Sequence, residues 1–571
     1  MSATRRMTTT RRPAVLAALL PAVLFAVLAV GCAPSTSAPL ARRQPARGAT
    51  PTAPTQLGPT DPAQTISISV VLRGQAPGAL DATLAAVSDP RSPSYHHYLS
   101  PAEYAQQFGS GAAARTTVRD VLRTAGFDVT GTTPNGLLVN ARGTVGEAEA
   151  LFGVQLWDYR DSHGTRFYRA GSPARLPARL APIASGVLGL DTRASLHRGT
   201  LPGRPRASSS FAGYTPADLH QLYDLGAATQ SSGGSGLTIA LAEIDSFSQS
   251  DVDQYDQQFG ISAPPVTVVS VNGAAPNPGP ESVMDIEVLH AIAPKATLIA
   301  YESGDALNDT ATMFAQIVGE RRAQIISISL GVCEIGIDPS LRDAFVSSIE
   351  STFQQADAEG MSVLVASGDS GAYGCQDDNL SVQAPASSPY VTAVGGTALF
   401  ARGDGSYGYE AGWEAPLEGA GGGGGLSVLF PQASWQAGQG VQNQYSNSMR
   451  QVPDVSADSD VLTGYAIYDT SIGQCSGNQC WQIYAGTSAA TPLWAGLIAL
   501  ADQQRAAQQK PLLGFLNPAL YQLGSAGATA SPFHDVQIGG NLYYPATPGW
   551  DYASGLGSPD AAKLIASLTA L

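Results

Sequence analysis

Charge is scarce in this sequence. Only 13% of its 571 residues are Asp, Glu, Lys or Arg, so packing and backbone hydrogen bonds, rather than a heavily charged surface, must hold the chain together. No Cys-x-x-Cys pair occurs among its five cysteines, which argues against a thiolate metal site. Internal repeats are absent. Histidine is sparse too, with seven in all, and none sits in a convincing general-base motif.

What is present is apolar and turn-rich: 44% hydrophobic residues, 62 Gly and 39 Pro. A globular chain of this length divides into two or three domains. Residues 1–32 read as an export signal. Arg5, Arg6, Arg11 and Arg12 precede the apolar stretch "AVLAALLPAVLFAVLAV" (14–30), which ends at "VGC". Cys32 after a small residue resembles a lipoprotein signal, although Ala29 stands where a larger aliphatic residue is usual. The expected location is extracellular, secreted or lipid-anchored at the cell surface through Cys32. The remaining cysteines, Cys333, Cys375, Cys475 and Cys480, allow three pairings in an oxidising compartment. Closing the short 475–480 loop is the easiest, which would leave 333 with 375.

The few charges are unevenly placed. Residues 1–206 carry 22 basic and 11 acidic side chains, and residues 207–571 carry 9 and 35. The acidic half has no natural affinity for nucleic acid, and the two halves attract each other. Residues 33–64, rich in Pro, Ala and Thr, read as a flexible tether. From "TISISVVL" (65–72) to residue 192 the pattern is strand–helix–strand–strand–helix–strand, with the last strand expected near 154–160. That is a ferredoxin-like α+β domain. A second linker, 193–213, contains "RGTLPGRPRASSSFAG" and reads as a place to cut. Residues 214–571 are α/β. Apolar strands at 237–245, 296–303, 323–331, 362–369 and 390–397 alternate with helices at 248–259, 281–293, 306–320 and 338–358. This predicts a parallel sheet covered on both faces, with catalytic groups at strand C-termini and helix N-termini.

"YAGTSAATPLWAG" (484–496) places Ser488 in a Gly-Thr-Ser turn ahead of an apolar helix, like the nucleophile of a subtilisin-type peptidase. Its base is the open question. His163 in "SHGTR" lies before the second linker. His290 stands late on a predicted helix, His220 on a surface helix, and His534 before an acidic loop. In "ESVMDIEVLHAIAP" Glu281 and Asp285 are spaced i,i+4, so at roughly 100° per residue they share a helix face. In a cleft such a pair shares a proton and gives a base poised in acid. Glu287 faces elsewhere, and His290 lies on the opposite face from Glu281. Asp369 ends the strand "VLVASGD", where subtilisins carry an oxyanion-hole asparagine. An aspartate can donate there only while protonated.

Taken together, "SPSYHHYLSPAEYAQQFG", "ESVMDIEV", "VLVASGDSG", "GGGGGLSVLFPQASWQ", "RQVPDVSADSD" and "GTSAATP" resemble the sedolisin (serine-carboxyl peptidase) family, its kumamolisin-like bacterial members most closely. The resemblance runs from about residue 65 to the C-terminus. It implies a subtilisin-like α/β catalytic domain behind an activation prodomain, and an acid-acting endopeptidase made as a zymogen with polypeptide substrates. Ser488 would be the nucleophile, Glu281 the general base, Asp285 its orienting partner and Asp369 the oxyanion stabiliser. The family's calcium site would fall here on the side chains of Asp535 and Asp551 and the carbonyls of Val536, Thr547 and Gly549. These are oxygen donors, as a structural Ca²⁺ prefers. Leu330 departs from the family pattern, in which many members carry Trp, so substrate preference stays open. The basic 65–192 prodomain is expected to act as an intramolecular inhibitor, to occupy or cover the cleft and assist folding, and to loosen as carboxylates protonate. The rivals are a conventional Ser-His-Asp peptidase, a tripeptidyl aminopeptidase of the same family, and a silent surface binding protein.

Overall fold

Five residues inside the expected tether form a strand. In the computed structural model, β1 (Thr55–Pro59) pairs antiparallel with β5 (Leu156–Arg160), which in turn pairs with β6 (Arg166–Ala170). The structure describes residues 54–571 apart from 162–163, 204–212, 227–232, 275, 474, 476 and 526–530. The export segment with Cys32, the tether up to residue 53, and His163 lie outside the described residues.

The alternation in "TISISVVL" decides how the N-terminal domain is built. Strand β2 (Thr65–Leu72) turns Ile66, Ile68 and Val70 toward one core, shared with Val118 and Leu122 of α3 (Ala112–Thr124) and Phe152 of α4 (Val145–Phe152). Its opposite face carries Ser69 and Val71. Helices α1 (Pro77–Ser88) and α2 (Pro101–Gln107) precede α3. Both α2 and α4 start at capping boxes, Ser100 with Glu103 and Thr144 with Glu147, in which each side chain satisfies the other's backbone N–H.

The sheet order is β3 (Asp128–Thr132), β4 (Leu138–Thr144), β2, β7 (Ala184–Leu188), all antiparallel. This is the expected ferredoxin-like sheet with one correction. Its fourth strand is β7, whereas the segment expected there, 154–160, supplies β5 of the separate three-stranded sheet. "LWDYR" has the stronger local strand preference. "ASGVL" takes the place because its Gly186 lets the backbone lie against a helix: a Cβ there would sit 2.6 Å from that of Ala344.

The C-terminal domain is the parallel α/β sheet its apolar strands predict. In order across the sheet come β11 (Thr267–Ser270), β12 (Thr297–Glu302), β10 (Thr238–Glu243), β13 (Ile325–Ile328), β15 (Ser362–Ala366), β16 (Thr392–Ala401) and an antiparallel edge, β17 (Tyr407–Gly412). Strand β18 (Val455–Asp458) also pairs in parallel with β16. On one face lie α5 (Pro216–Leu222), α6 (Gln249–Phe259), α7 (Pro280–Ile292) and α10 (Thr487–Ala507); on the other lie α8 (Leu307–Glu320) and α9 (Pro339–Ala358). The strand expected over 323–331 breaks at Ser329. Beyond it, β14 (Leu330–Cys333) leaves the main sheet.

The folded body of the N-terminal domain does not cover the cleft, contrary to expectation. Its second sheet face, through Val71, Leu138 and Leu188, joins the core formed with Phe314 and Val318 of α8 and Phe345 of α9. Here the Ser69 hydroxyl donates to Asn140 Oδ1 at 2.9 Å. The linker enters the cleft instead. Strand β8 (His197–Arg198) pairs with Leu330 and Gly331 of β14, and β9 (Leu201–Pro202) pairs with Tyr484 and Ala485 of β20 (Trp481–Ala485). Strand β20 pairs in turn with β19 (Tyr465–Tyr468). The cysteines pair as Cys333–Cys375 and Cys475–Cys480.

Candidate active site

Two helix N-termini meet at the C-terminal edge of the sheet, where a parallel α/β fold leaves unsatisfied N–H groups. Helix α7 brings Glu281 and Asp285, and helix α10 brings Ser488; all three are fully buried. The helices cross closely, since a Cβ on Gly496 would come within 2.6 Å of Ile292 Cγ2. The turn into α10 requires glycine at 486. Its φ is 116°, and a Cβ there would lie 2.5 Å from Asp369 Oδ2 and run into the carbonyl oxygen of Gly199.

Each carboxylate is held by a different neighbour. The Thr200 amide donates to Glu281 Oε2 at 3.1 Å, and the Thr200 hydroxyl donates to the same oxygen. The Ser329 hydroxyl donates to Asp285 Oδ2 at 2.8 Å and also lies 3.3 Å from the Ser488 carbonyl. Asp285 Oδ1 has no donor. Asp369, in the turn after β15, accepts at Oδ1 from the Thr487 amide at 2.8 Å and the Thr487 hydroxyl at 2.9 Å. Its Oδ2 has no donor either. A proton on Asp369 therefore belongs on Oδ2, the oxygen facing Gly199.

Burial dominates the electrostatics, because a carboxylate stripped of water favours its neutral form. Glu281 is pushed up to about 8 by burial and, less strongly, by the charges of Asp245 and Asp369; its Thr200 and Ser488 neighbours pull it back down. Asp285 is raised well above the usual range by burial and then by the charges of Glu243 and Glu281. Burial takes Asp369 to about 7 against the opposing bonds from Thr487. With Asp369 protonated and one proton shared by the pair, the site offers a nucleophile, an adjacent base and an acid hydrogen-bond donor.

The four expected catalytic residues thus come together, and no histidine among the described residues joins them. His290 Nδ1 lies 2.9 Å from Asp256 Oδ1, and His220 Nε2 lies 2.7 Å from the Ala291 carbonyl. His534 stacks on Tyr407 with ring centroids 3.9 Å apart. Glu287 turns away, accepting from the Tyr468 amide at 2.8 Å.

Sequence reasoning missed Glu243, Asp245, Ser329 and Thr200. Asp245 accepts from the Glu281 and Ser282 amides at 3.3 and 3.1 Å, satisfying the first turn of α7. The Ser282 hydroxyl lies 2.9 Å from Glu243 Oε2, so a second tier of buried acid stands behind the pair. The signal was available: two acids two residues apart end a buried parallel strand, where such folds place their chemistry.

The expected calcium ligands also lie on two joined loops. The Gly549 amide donates to both oxygens of Asp535 at 3.1 and 3.2 Å, and the Thr547 amide donates to Asp551 Oδ2 at 2.6 Å. Asp551 Oδ1 accepts from the Ala553 and Ser554 amides, both at 2.9 Å, and burial raises its carboxyl to about 7. No group of three or more His, Cys, Asp or Glu suited to a metal occurs among the described residues. An ion here would rest on two carboxylates and on the carbonyls of Val536, Thr547 and Gly549. That all-oxygen set fits calcium.

Comparison with known proteins identifies the family. The pro-kumamolisin activation domain matches residues 53–193, and the subtilase family matches 268–514. Kumamolisin of Bacillus sp. (strain MN-32) is 33% identical over 540 residues, covering 90% of this chain and 93% of that protein. Sedolisin of Pseudomonas sp. (strain 101) is 30% identical, covering 88% and 86%. Tripeptidyl-peptidase 1 of Rattus norvegicus is 29% identical, covering 90% and 93%. Among solved structures, Pseudomonas sedolisin (serine-carboxyl proteinase) complexed with two molecules of pseudo-iodotyrostatin superposes with a TM-score of 0.53 at 29% identity. It covers 63% of this chain and 98% of that one. The chain has an α/β architecture, a subtilisin-like domain behind an activation domain.

Proposed function

Because the chain belongs to the sedolisin family of serine peptidases, we propose that it is an exported, acid-acting serine-carboxyl endopeptidase made as a zymogen. One observation carries this reading: Ser488, Glu281 and Asp369 converge on a single backbone peptide. Ser488 attacks the carbonyl carbon while its proton passes to Glu281. Asp285 holds the shared proton in reach and keeps Glu281 oriented. Asp369 Oδ2–H and the Ser488 amide receive the developing oxyanion. Glu281 then returns the proton to the leaving amine, and water releases the acyl group.

The acidic range follows from Asp369, whose donor proton is present below about pH 7 and is lost as the pH rises through that value. Incubating denatured protein at about pH 4 with wild type and Ser488→Ala tests the reading. Peptide products are expected from wild type alone, and an inert, fully processed wild type would leave a silent binding protein as the better account.

Endo-cleavage is favoured over tripeptidyl release because the chain occupies the cleft on both sides of Ser488, paired with β14 upstream and with β20 downstream. The Leu196 amide still donates to Asp305 at 2.9 Å, and Ser195 still bridges to Ala306. Equal cleavage of N-terminally blocked and free peptides is the expected result.

One structural Ca²⁺ between the Asp535 and Asp551 loops belongs to the same proposal. When bound it supplies charge compensation and cross-links the two loops, and it takes no part in the chemistry. Ions that bind only the folded state raise its stability, so a chelator should lower the melting temperature of the Ser488→Ala protein. Export, with lipidation at Cys32, rests on the sequence of residues 1–32.

A further inference from the structure

Helix α7 carries the base but has no cap of its own. Gly279 stands at its cap position without a side chain, and Pro280, which opens the helix, has no N–H to offer. The unsatisfied amides of Gly279, Glu281 and Ser282 all end on two consecutive residues just after β10. Gly279 donates to the Ser246 carbonyl at 2.9 Å. Glu281 and Ser282 donate to the Asp245 carboxylate, one to each oxygen. The Ser282 hydroxyl lies 2.7 Å from Asp245 Oδ1, and 2.9 Å from both the Asp245 carbonyl and Glu243 Oε2. Asp245 is buried, and a helix N-terminus favours the negative charge it brings. A carboxylate 36 positions back in the chain thus does what an N-cap side chain usually does.

Building on the function proposed above, we infer that Asp245 is a positioning residue of the peptidase: it caps α7 from the end of β10, fixes the backbone of Glu281 beside Ser488, and keeps a negative charge next to the base. It acts through Glu281 rather than on the substrate. The titrating groups facing Asp245 are Glu243 at the end of β10, Glu281 and Asp285 on α7, Glu302 on β12 and Tyr484 on β20. Burial is the first cause that raises all four of these carboxyls, and the Asp245 charge adds to each. A negative charge beside Glu281 and Asp285 makes the pair take up a second proton more readily. That second proton occupies the base and stops the reaction. Asp245 therefore sets the acid end of the working range, and without its charge Glu281 stays free deeper into acid. Losing the cap acts separately. The first turn of α7 loosens, and Glu281 leaves the geometry in which it takes the Ser488 proton quickly.

The test measures kcat and KM of the processed enzyme on denatured casein across the acid range, with thermal unfolding to show that each variant is folded. Asp245→Asn removes the charge and one of the cap's two acceptor oxygens. Its acid limb should move down by about 1 pH unit. Its kcat at the optimum should fall roughly 10–100-fold, with KM little changed. Asp245→Glu keeps the charge, so its acid limb should stay where wild type has it even where kcat falls. A folded Asp245→Asn whose kcat falls equally at every pH overturns the inference. So does a folded Asp245→Glu whose acid limb is displaced, which decides the matter alone if Asp245→Asn does not fold. Casein cleavage by wild type leaves the peptidase reading standing in each of these cases. A processed wild type that cleaves no casein at any pH overturns that reading instead.

Discussion

The prodomain meets the peptidase in two places that obey different physics. One is a sheet face laid on α8 and α9, where Val71, Leu138 and Leu188 are buried against Phe314, Val318 and Phe345. The other is a strand of six residues in the cleft, held by backbone pairing and by Thr200 on Glu281. The first contact is apolar and depends on area removed from water. The second depends on backbone pairing and on a titrating group, the Glu281 carboxyl. Docking and inhibition can therefore be dissected separately.

The largest effect expected is on the cleft side. Glu281→Gln keeps the shape but removes the base, and should lower kcat on denatured protein at pH 4 by roughly 10²–10⁴, with docking unchanged. His290→Ala, at a site paired with Asp256, should retain most of the activity. The opposite ranking would restore the histidine peptidase.

On the docking side, Leu188→Ala in a Ser488→Ala background removes a fully buried side chain from the shared core. It should weaken the zymogen by about 2–5 kcal/mol, measured by denaturant unfolding. The linker's pairing in the cleft should survive, read by amide exchange at Thr200. An equal loss of protection at Thr200 would mean that the two contacts are one.

The smallest effect is a pH response at the rim of the docking surface. Arg505 Nη2 lies 3.1 Å from His96 Nδ1, and the ring stacks on Tyr95 at 3.7 Å and faces Tyr98 at 5.7 Å. Burial, with Arg505 adding to it, lowers His96 to about 4. Tyr98, which faces the ring, is itself raised by burial and by the charges of Asp502, Tyr95 and Asp357. A docked histidine with a depressed pKa resists a proton that the released one accepts. Its contribution to docking is therefore full above about 6.5 and falls away as the pH drops toward 4. His96→Gln should flatten this part of the pH dependence of prodomain release. An unchanged profile would assign the acid response to the carboxylates alone.

The sequence was most legible where the chemistry is local. The turn at Ser488, the i,i+4 pair Glu281 and Asp285, and the strand end at Asp369 are each marked by a few residues, and the fold brings them together; near-continuous apolar strands announced the parallel sheet. What escaped depends on distant partners. "TQLGP" has no alternation to mark it as β1, and becomes a strand only by pairing with residues about a hundred positions away. The ferredoxin-like sheet chose "ASGVL" over "LWDYR" because strand preference yields to packing context. The linker read as irregular because a strand bound in a cleft takes its conformation from the cleft. Glu243 and Asp245 were visible as acids, but only the fold shows that they stand behind α7.

The disulfide at the edge of the cleft has a consequence of timing. Leu330 and Gly331 grip the linker, and two residues on, Cys333 is tied to Cys375 across 42 positions. Closing a loop of that length is worth about 4 kcal/mol in the chain-entropy view. In a reducing cytosol the thiols stay apart and the gripping edge lacks its anchor. For the export proposed above, an oxidising compartment would supply that anchor.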